Sequence, residues 1–297
     1  MDSPGVAWLF TGQGAQVLGM SRELCGTFPQ ALRILEQAEE VSGLPLSRLC
    51  FQEPEAVLAR TEVEQVAVTA ITLGCLELLA QAGCAPDRVA GHGVGELAAL
   101  CAAGVLTVED TLYLAAHRGR LMHEAARRRP GGMLSVNGLA TPVVEELVGS
   151  LRGRHRQYVA HYNTRSQTVL SGELGALGVA GSVAFRLGGQ AVMLRERGPW
   201  HSPLMNEARE RFFEAVCRVD FRPPRVPLYL GSTGETEADP DCIAAAVLAQ
   251  LTQPVRWMQM MAGMAAANTR TFIDVGPGNV LRGTVRHNLE RAQACSA

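Results

Sequence analysis

The segment from Val89 to Gly104, VAGHGVGELAALCAAG, constrains the fold more than any other. A short apolar pair enters a turn built on glycines two apart, and a helical run follows from Val94 to Ala103 with Gly104 as its stop. Glycines at that spacing let the chain reverse tightly and pack closely. The N-terminus repeats the theme, with the apolar run Val6–Phe10 entering the glycine-rich TGQGAQ. A strand at Leu228–Leu230 and another at Phe272–Val275, ending in GPGN, complete an outer alternation of strand and helix. That order predicts a parallel sheet covered on both faces.

Between the outer segments the texture changes. Short strands are predicted at Met133–Asn137, Tyr158–Tyr162, Thr168–Ser171 and Ala191–Leu194. One helix starts at Thr141-Pro142, and another lies within Gly175–Gly188. The β-α-β-β-α-β order is the ferredoxin-like signature. The expected architecture is therefore α/β: a hydrolase-like parallel-sheet domain, residues 1–130 and 199–297, with an inserted ferredoxin-like α+β small domain, residues 131–198. Further helices are expected at Ser21–Val41, Glu62–Ala82, Thr107–Arg127, Ser202–Val219 and, as a pair, Asp241–Ala267. Thr107 with Asp110 forms a capping signature, and Leu112, Ala115, Gly119 and Met122 recur on one inward face.

Composition removes several function classes. The chain has 297 residues, a formal charge of −2 and 47% hydrophobic content, ample for a core and unlike a general nucleic-acid binder. All 27 basic residues are Arg. Without lysine there is no Schiff-base amine and no P-loop lysine. No run of 18 apolar residues and no secretory pattern is seen, so no membrane span is expected. The eight cysteines are dispersed with no CxxC pair, which argues against a zinc or iron–sulfur site and fits a reducing, cytoplasmic compartment. Cys75 and Cys101 read as small buried hydrophobes.

GHGVGE, Gly91–Glu96, has the setting of the G-x-S-x-G nucleophile elbow, with Gly93 in place of the serine. Alone, such a frame is more often a simple turn. A dinucleotide reading fails, because GxGxxG would require glycine at Glu96 or at Val17.

Seven blocks in order carry a resemblance over Ala7–Arg286: TGQGAQ (Thr11–Gln16), GHGVGELAAL (Gly91–Leu100), HRGRLM (His117–Met122), NTRSQTVLSG (Asn163–Gly172), HSPLM (His201–Met205), QLTQPVRW (Gln250–Trp257) and DVGPGNVL (Asp274–Leu281). The chain resembles the malonyl-CoA:acyl-carrier-protein transacylases and the acyltransferase domains of polyketide synthases. The resemblance implies an acyl nucleophile at the position of Gly93 and a general base at His201. It implies an oxyanion hole from the backbone N–H groups of Gln13 and Val94, and a carboxylate-binding Arg118. A planar guanidinium suits the free carboxylate of a malonyl-type group. Gln250 is implied as an orienting group near His201. Trp200 stands where malonyl-selective relatives often carry Phe and would fill more of the pocket, against large α-substituents. His92 is counted with the substrate-binding residues and not as a substitute nucleophile, because it precedes the turn apex and should point elsewhere.

The function implied by the resemblance is acyl transfer from a coenzyme A thioester to the phosphopantetheine thiol of an acyl carrier protein, with no metal or tightly bound cofactor. The protein is expected as a monomer or as part of a synthase assembly. Arginine clusters at Arg127–Arg129 and at Arg152, Arg154 and Arg156 are candidate docking sites for an acidic carrier. Arg165 replaces a common proline at the cleft edge. Gly93 leaves three readings open: a substituted form of an active transferase, a homologue that binds acyl-CoA or carrier without covalent catalysis, or chemistry in which His201 activates water or thiol directly.

Overall fold

A computed structural model describes residues 4–14, 20–52, 57, 59–289 and 293–296. Ala15 and Gln16 of the TGQGAQ block lie outside the described residues. The larger sheet contains β1 (Gly5–Phe10), β2 (Arg88–Gly91), β7 (Leu228–Tyr229), β8 (Thr236–Glu237), β9 (Thr269–Val275) and β10 (Gln293–Ser296), in the order β10-β9-β1-β2-β7-β8. All its pairings are parallel except β7 with β8. β1 lies centrally and is almost wholly buried, as its unbroken apolar run requires when helices cover both faces.

The smaller sheet uses β3 (Gly132–Asn137), β4 (Gln157–Thr164), β5 (Gln167–Gly172) and β6 (Gln190–Met193) in the order β4-β5-β3-β6, antiparallel throughout. Two helices, Thr141–Leu151 and Leu174–Arg186, share a hydrophobic cluster with β3 and β5, including Leu134, Val136, Leu147, Leu170 and Leu177. This is the expected ferredoxin-like arrangement. Met133, Ala160 and Val169 belong instead to the main core, alongside Trp200 and Phe212. Backbone bonds seal the join: the Val255 N–H donates to the Ala160 carbonyl at 2.8 Å, and the Tyr162 N–H donates to the Val255 carbonyl at 2.9 Å.

Helices carry the site's other parts. Thr61–Gln81 and Val108–Arg128 pack side by side, and a methyl on Gly119 would approach the Thr61 carbonyl to 3.1 Å. The Thr107 hydroxyl accepts the Asp110 N–H at the N-cap, as expected. Thr61–Gln81 is long and apolar enough to cross a membrane by length and composition. Its Thr61–Gly74 stretch is nevertheless buried in the core, so it serves as an interior helix.

Two expected helices change shape. Ser21–Val41 is two helices, Met20–Thr27 and Pro29–Ser42, because Pro29 cannot continue a preceding helix and starts a new one. Ser202–Val219 begins as a 3-10 turn at Pro203–Met205, with the α-helix confined to Asn206–Val216. Helices Leu46–Gln52 and Val280–Asn288, and strands β8 and β10, add to the elements expected from the sequence. Cys75 and Cys101 are only partly buried. Burial still pushes both thiols up to about 11, so neither supplies a thiolate at neutral pH.

The glycines give a paired prediction. A methyl on Gly95 would stand 2.2 Å from the Phe10 carbonyl oxygen, whereas one on Gly178, on the exposed face of the helix Leu174–Arg186, meets nothing within 4 Å. Gly95→Ala should abolish folding or cost several kcal/mol. Gly178→Ala should add about 0.5–1 kcal/mol. Urea unfolding of both variants measures the contrast.

Candidate active site

The turn between β2 and the helix Gly95–Ala102 creates the centre of the site. The His92 N–H bonds to the Phe10 carbonyl at 2.9 Å, and Gly95 sits directly on the end of β1. Gly93 then adopts φ +57°, the left-handed conformation expected at an elbow apex. A Cβ built there would lie 3.6 Å from His201 Nε2, with no other atom among its neighbours within 4 Å.

His201 faces this position from the loop before Pro203. Its own φ of +55° is unusual for a non-glycine residue. Its Nδ1 lies 2.8 Å from the Gln250 backbone carbonyl, which can only accept; Nδ1 therefore carries the proton, and Nε2 presents a lone pair toward Gly93. The Ser202 hydroxyl donates to the Pro199 carbonyl at 2.6 Å and secures the loop. Burial, followed by the positive charge of Arg118, pushes His201 down to about 3.

Gln250 connects the parts. Its side-chain amide donates to the Gly93 carbonyl at 2.9 Å and its Oε1 accepts from Arg118 at 2.8 Å. Arg118 also donates to Gln65 Oε1 at 2.6 Å. Arg118 is 2% exposed, so it is an interior guanidinium. Burial lowers it to about 10, which leaves it charged at neutral pH. Glu96 is the acidic counterweight: it accepts the Gly231 N–H at 2.6 Å, and burial pushes it up to about 7.

The Gln13 loop is held by side-chain bonds. Gln13 Nε2 donates to Glu64 at 2.7 Å, and the Gly14 N–H donates to the same carboxylate at 2.7 Å. The backbone N–H groups of Gln13 and Val94 make no hydrogen bond among the described residues, so both are free to receive an oxyanion.

Gln13, Gly93, Val94, Arg118, Trp200, His201 and His92 all line one cleft, and Gln250 supports it from behind. His92 therefore corrects the expectation that it points elsewhere. The turn swings its ring into the wall, where Nε2 bonds to Asn163 Oδ1 at 3.0 Å. Sequence reasoning misses Glu64, Gln65, Glu96, His161 and Glu196. Glu64 and Gln65 are polar residues in a largely apolar buried helix, a usable signal. His161 stacks edge-on between His92 and His201, with ring centroids at 4.7 and 5.0 Å. Burial lowers His92, and lowers His161 well below the usual range. Glu196 lies opposite Gly14 at the cleft edge, its carboxyl raised by burial. Arg127–Arg129, Arg152, Arg154, Arg156 and Arg165 are exposed, away from these contacts.

Glu96 makes stability depend on pH in a definite direction. Its folded pKa lies above its unfolded value, so the folded state holds the proton more tightly. Its contribution is complete below about pH 4.5 and is lost as pH rises through about 7. Glu96→Gln keeps an acceptor for Gly231 without the charge. The variant should lose a component of up to about 3 kcal/mol from the decline between those pH values, as read by urea unfolding at pH 4.5 and 8.

The family of the chain is shown by its likeness to known proteins. Residues 7–297 match the acyl transferase domain family. A malonyl CoA-acyl carrier protein transacylase of Bacillus subtilis is 32% identical over 95% of this chain and 89% of its own length. A spectinabilin polyketide synthase system protein of Streptomyces orinoci is 34% identical over 98% of this chain, which spans 14% of that much longer protein. The crystal structure of a malonyl-CoA:acyl carrier protein transacylase from Xanthomonas oryzae superposes with a TM-score of 0.94 at 32% identity, covering 100% of this chain and 95% of that one. A malonyl-transacylase solved with its type II polyketide synthase carrier protein gives 0.94 at 28% identity, covering 99% of this chain and 96% of that one. The chain belongs to the acyl transferase domain family.

Proposed function

We propose that this protein serves malonyl-type acyl transfer from coenzyme A to the phosphopantetheine thiol of an acyl carrier protein, in polyketide or fatty-acid biosynthesis. One observation carries the reading: the Cβ position of Gly93 stands 3.6 Å from the free Nε2 of a tethered His201. A hydroxyl on that carbon would meet its base. The names of the relatives, which include malonyl transacylases and a carrier-protein complex, support the same substrates.

Each residue's role rests on its place in the cleft. A thioester carbonyl placed over Gly93 would direct its oxygen toward the Gln13 and Val94 N–H groups. Arg118 would take the substrate carboxylate. Burial is the larger cause of the low His201 basicity and the Arg118 charge the second, and that pairing would relieve the second cause only. His201 would accept the nucleophile's proton and return it to the leaving thiolate. Gln250 would keep Arg118, His201 and the Gly93 carbonyl in register. Trp200 and His92 would shape the wall beside the acyl group.

Gly93 favours a second reading for the chain as it stands. Loss of a nucleophile costs on the order of 10⁶ in turnover, while the oxyanion hole and binding retain about 10³–10⁴ over water. A carrier- or acyl-binding scaffold, or slow hydrolysis with His201 acting on water, is what such a site supports. Its base is weakened first by burial and then by the Arg118 charge. The proposal includes residues 131–198 as an inserted domain between 1–130 and 199–297, which the confinement of the smaller sheet to 132–193 supports. It also includes a cytoplasmic location, monomeric or synthase-associated assembly, and no cofactor beyond the coenzyme A thioester and the carrier's phosphopantetheine. The dispersed cysteines, with no CxxC spacing, support the location.

Gly93→Ser should accumulate a malonyl adduct with malonyl-CoA, whereas the unaltered chain should show none. Intact-protein mass spectrometry decides, and a folded Gly93→Ser protein without adduct overturns the reading. Because serine would sit at positive φ, that variant should also lose about 1–2 kcal/mol of stability. Adding Arg118→Gln to Gly93→Ser should cut malonyl loading about 100-fold, since one partner of a buried charge pair is removed.

A further inference from the structure

The two oxyanion donors are held in different ways. Val94 stands at the start of the helix Gly95–Ala102, and the helix fixes the direction of its N–H. Gln13 lies in the loop after β1, between Gly12 and Gly14, where the backbone alone allows many conformations. On one side the elbow confines the loop, since a Cβ on Gly12 would stand 2.2 Å from the His92 carbonyl oxygen. On the other side the constraint is one carboxylate.

Glu64 grips the loop with both oxygens. Oε1 accepts the Gly14 N–H at 2.7 Å, and Oε2 accepts from Gln13 Nε2 at 2.7 Å. The first bond fixes the peptide that follows Gln13, and the second fixes the Gln13 side chain. With Gly12 confined, Gln13 is anchored on both sides, which sets the direction of its own N–H. The support is rigid: Glu64 is buried and belongs to the interior helix Thr61–Gln81. It is absent from the residues that line the cleft, so it acts through Gln13 and not on a substrate. A neutral amide could not replace it, because an amide has one acceptor oxygen, and its NH₂ would face the Gln13 donor. The charge itself works against an oxyanion, so geometry is the only benefit the carboxylate offers there.

We infer that Glu64 is the positioning residue of the oxyanion hole, its carboxylate holding the Gln13 N–H toward the thioester carbonyl from outside the cleft. The inference rests on the proposed acyl-transfer function and adds a residue to its machinery. Loss of one oxyanion donor costs about 10²–10³ in rate, and misplacement by about 1 Å costs on the order of 10². Positioning and charge predict opposite signs. If the carboxylate positions Gln13, neutralising it slows acyl loading; if only its charge is felt, neutralising it leaves loading unchanged or faster.

Single-turnover loading of Gly93→Ser at saturating malonyl-CoA, followed by intact-protein mass spectrometry, tests it. Adding Glu64→Gln should slow loading at least tenfold. The same substitution in the chain with Gly93, which has no hydroxyl to acylate, should change the malonyl-CoA dissociation constant less than tenfold by calorimetry. That split separates a donor needed in the transition state from general damage to the cleft. Should Glu64→Gln fail to fold, Gln13→Ala, which cuts one of the two bonds at a half-buried side chain, carries the test with the same limits. Slowing of less than tenfold, or a loss of affinity of tenfold or more, overturns the inference, while loading of Gly93→Ser leaves the proposed function standing. Failure of Gly93→Ser itself to load overturns both.

Discussion

The site depends on how tightly the helix Gly95–Ala102 seats on the end of β1. Gly91 and Gly95 leave no space for a side chain: a methyl on either would fall 2.2 Å from neighbouring backbone. Gly12 is equally confined, 2.2 Å from the His92 carbonyl. The two glycine-rich loops are therefore pressed together, with the Gln13 loop beside the elbow. That contact puts the free N–H groups of Gln13 and Val94 in one cleft and turns Gly93 toward His201. An alanine at either contact would separate the loops by more than a hydrogen bond tolerates.

Burying Arg118 and Glu96 in this cleft is expensive, and the fold offsets the cost with directed dipoles. Arg118 has two amide oxygens, from Gln65 and Gln250, and Glu96 has the Gly231 N–H. The guanidinium's hydrogen-bonded partners are neutral amides, and the nearby Glu96, pushed up to about 7 by burial, offsets its charge only in part. An anion entering the cleft therefore still meets a positive site in a medium where Coulomb attraction is strong. Burial depresses His201 first, and the same charge adds to it. Carboxylate recognition and base strength are thus coupled through space as well as through Gln250.

Much of this is legible in the sequence. Strand–turn–helix alternation, the βαββαβ insert, the Thr107 cap and the Gly93–His201–Arg118–Gln250 constellation can all be read from local pattern and from a block resemblance. The rest requires tertiary contacts. His161 reaches His201 only because β4 pairs with the segment at Val255, a contact across more than ninety positions that no periodicity announces. Local pattern misplaces His92 because the direction of a turn side chain depends on the partner loop, here Asn163 on another strand. A continuous helix over Ser21–Val41 fails at Pro29, whose missing N–H and fixed φ outweigh the helical pattern around it.

Gly93 and His201 both lie in the left-handed region, but they bear its strain differently. Glycine loses little there, whereas a histidine loses about 1–2 kcal/mol. The hydrogen bonds from His201 Nδ1–H to Gln250 and from Ser202 to Pro199 offset that loss. The strained histidine is thus held by contacts that need no side chain at position 93, since Gln250 meets only the Gly93 carbonyl. For this reason the base, the oxyanion donors and the arginine keep their places when the elbow carries no side chain. The absence of a hydroxyl alters the chemistry of one atom and leaves the recognition surface around it intact, so binding and covalent transfer are separable properties of this fold.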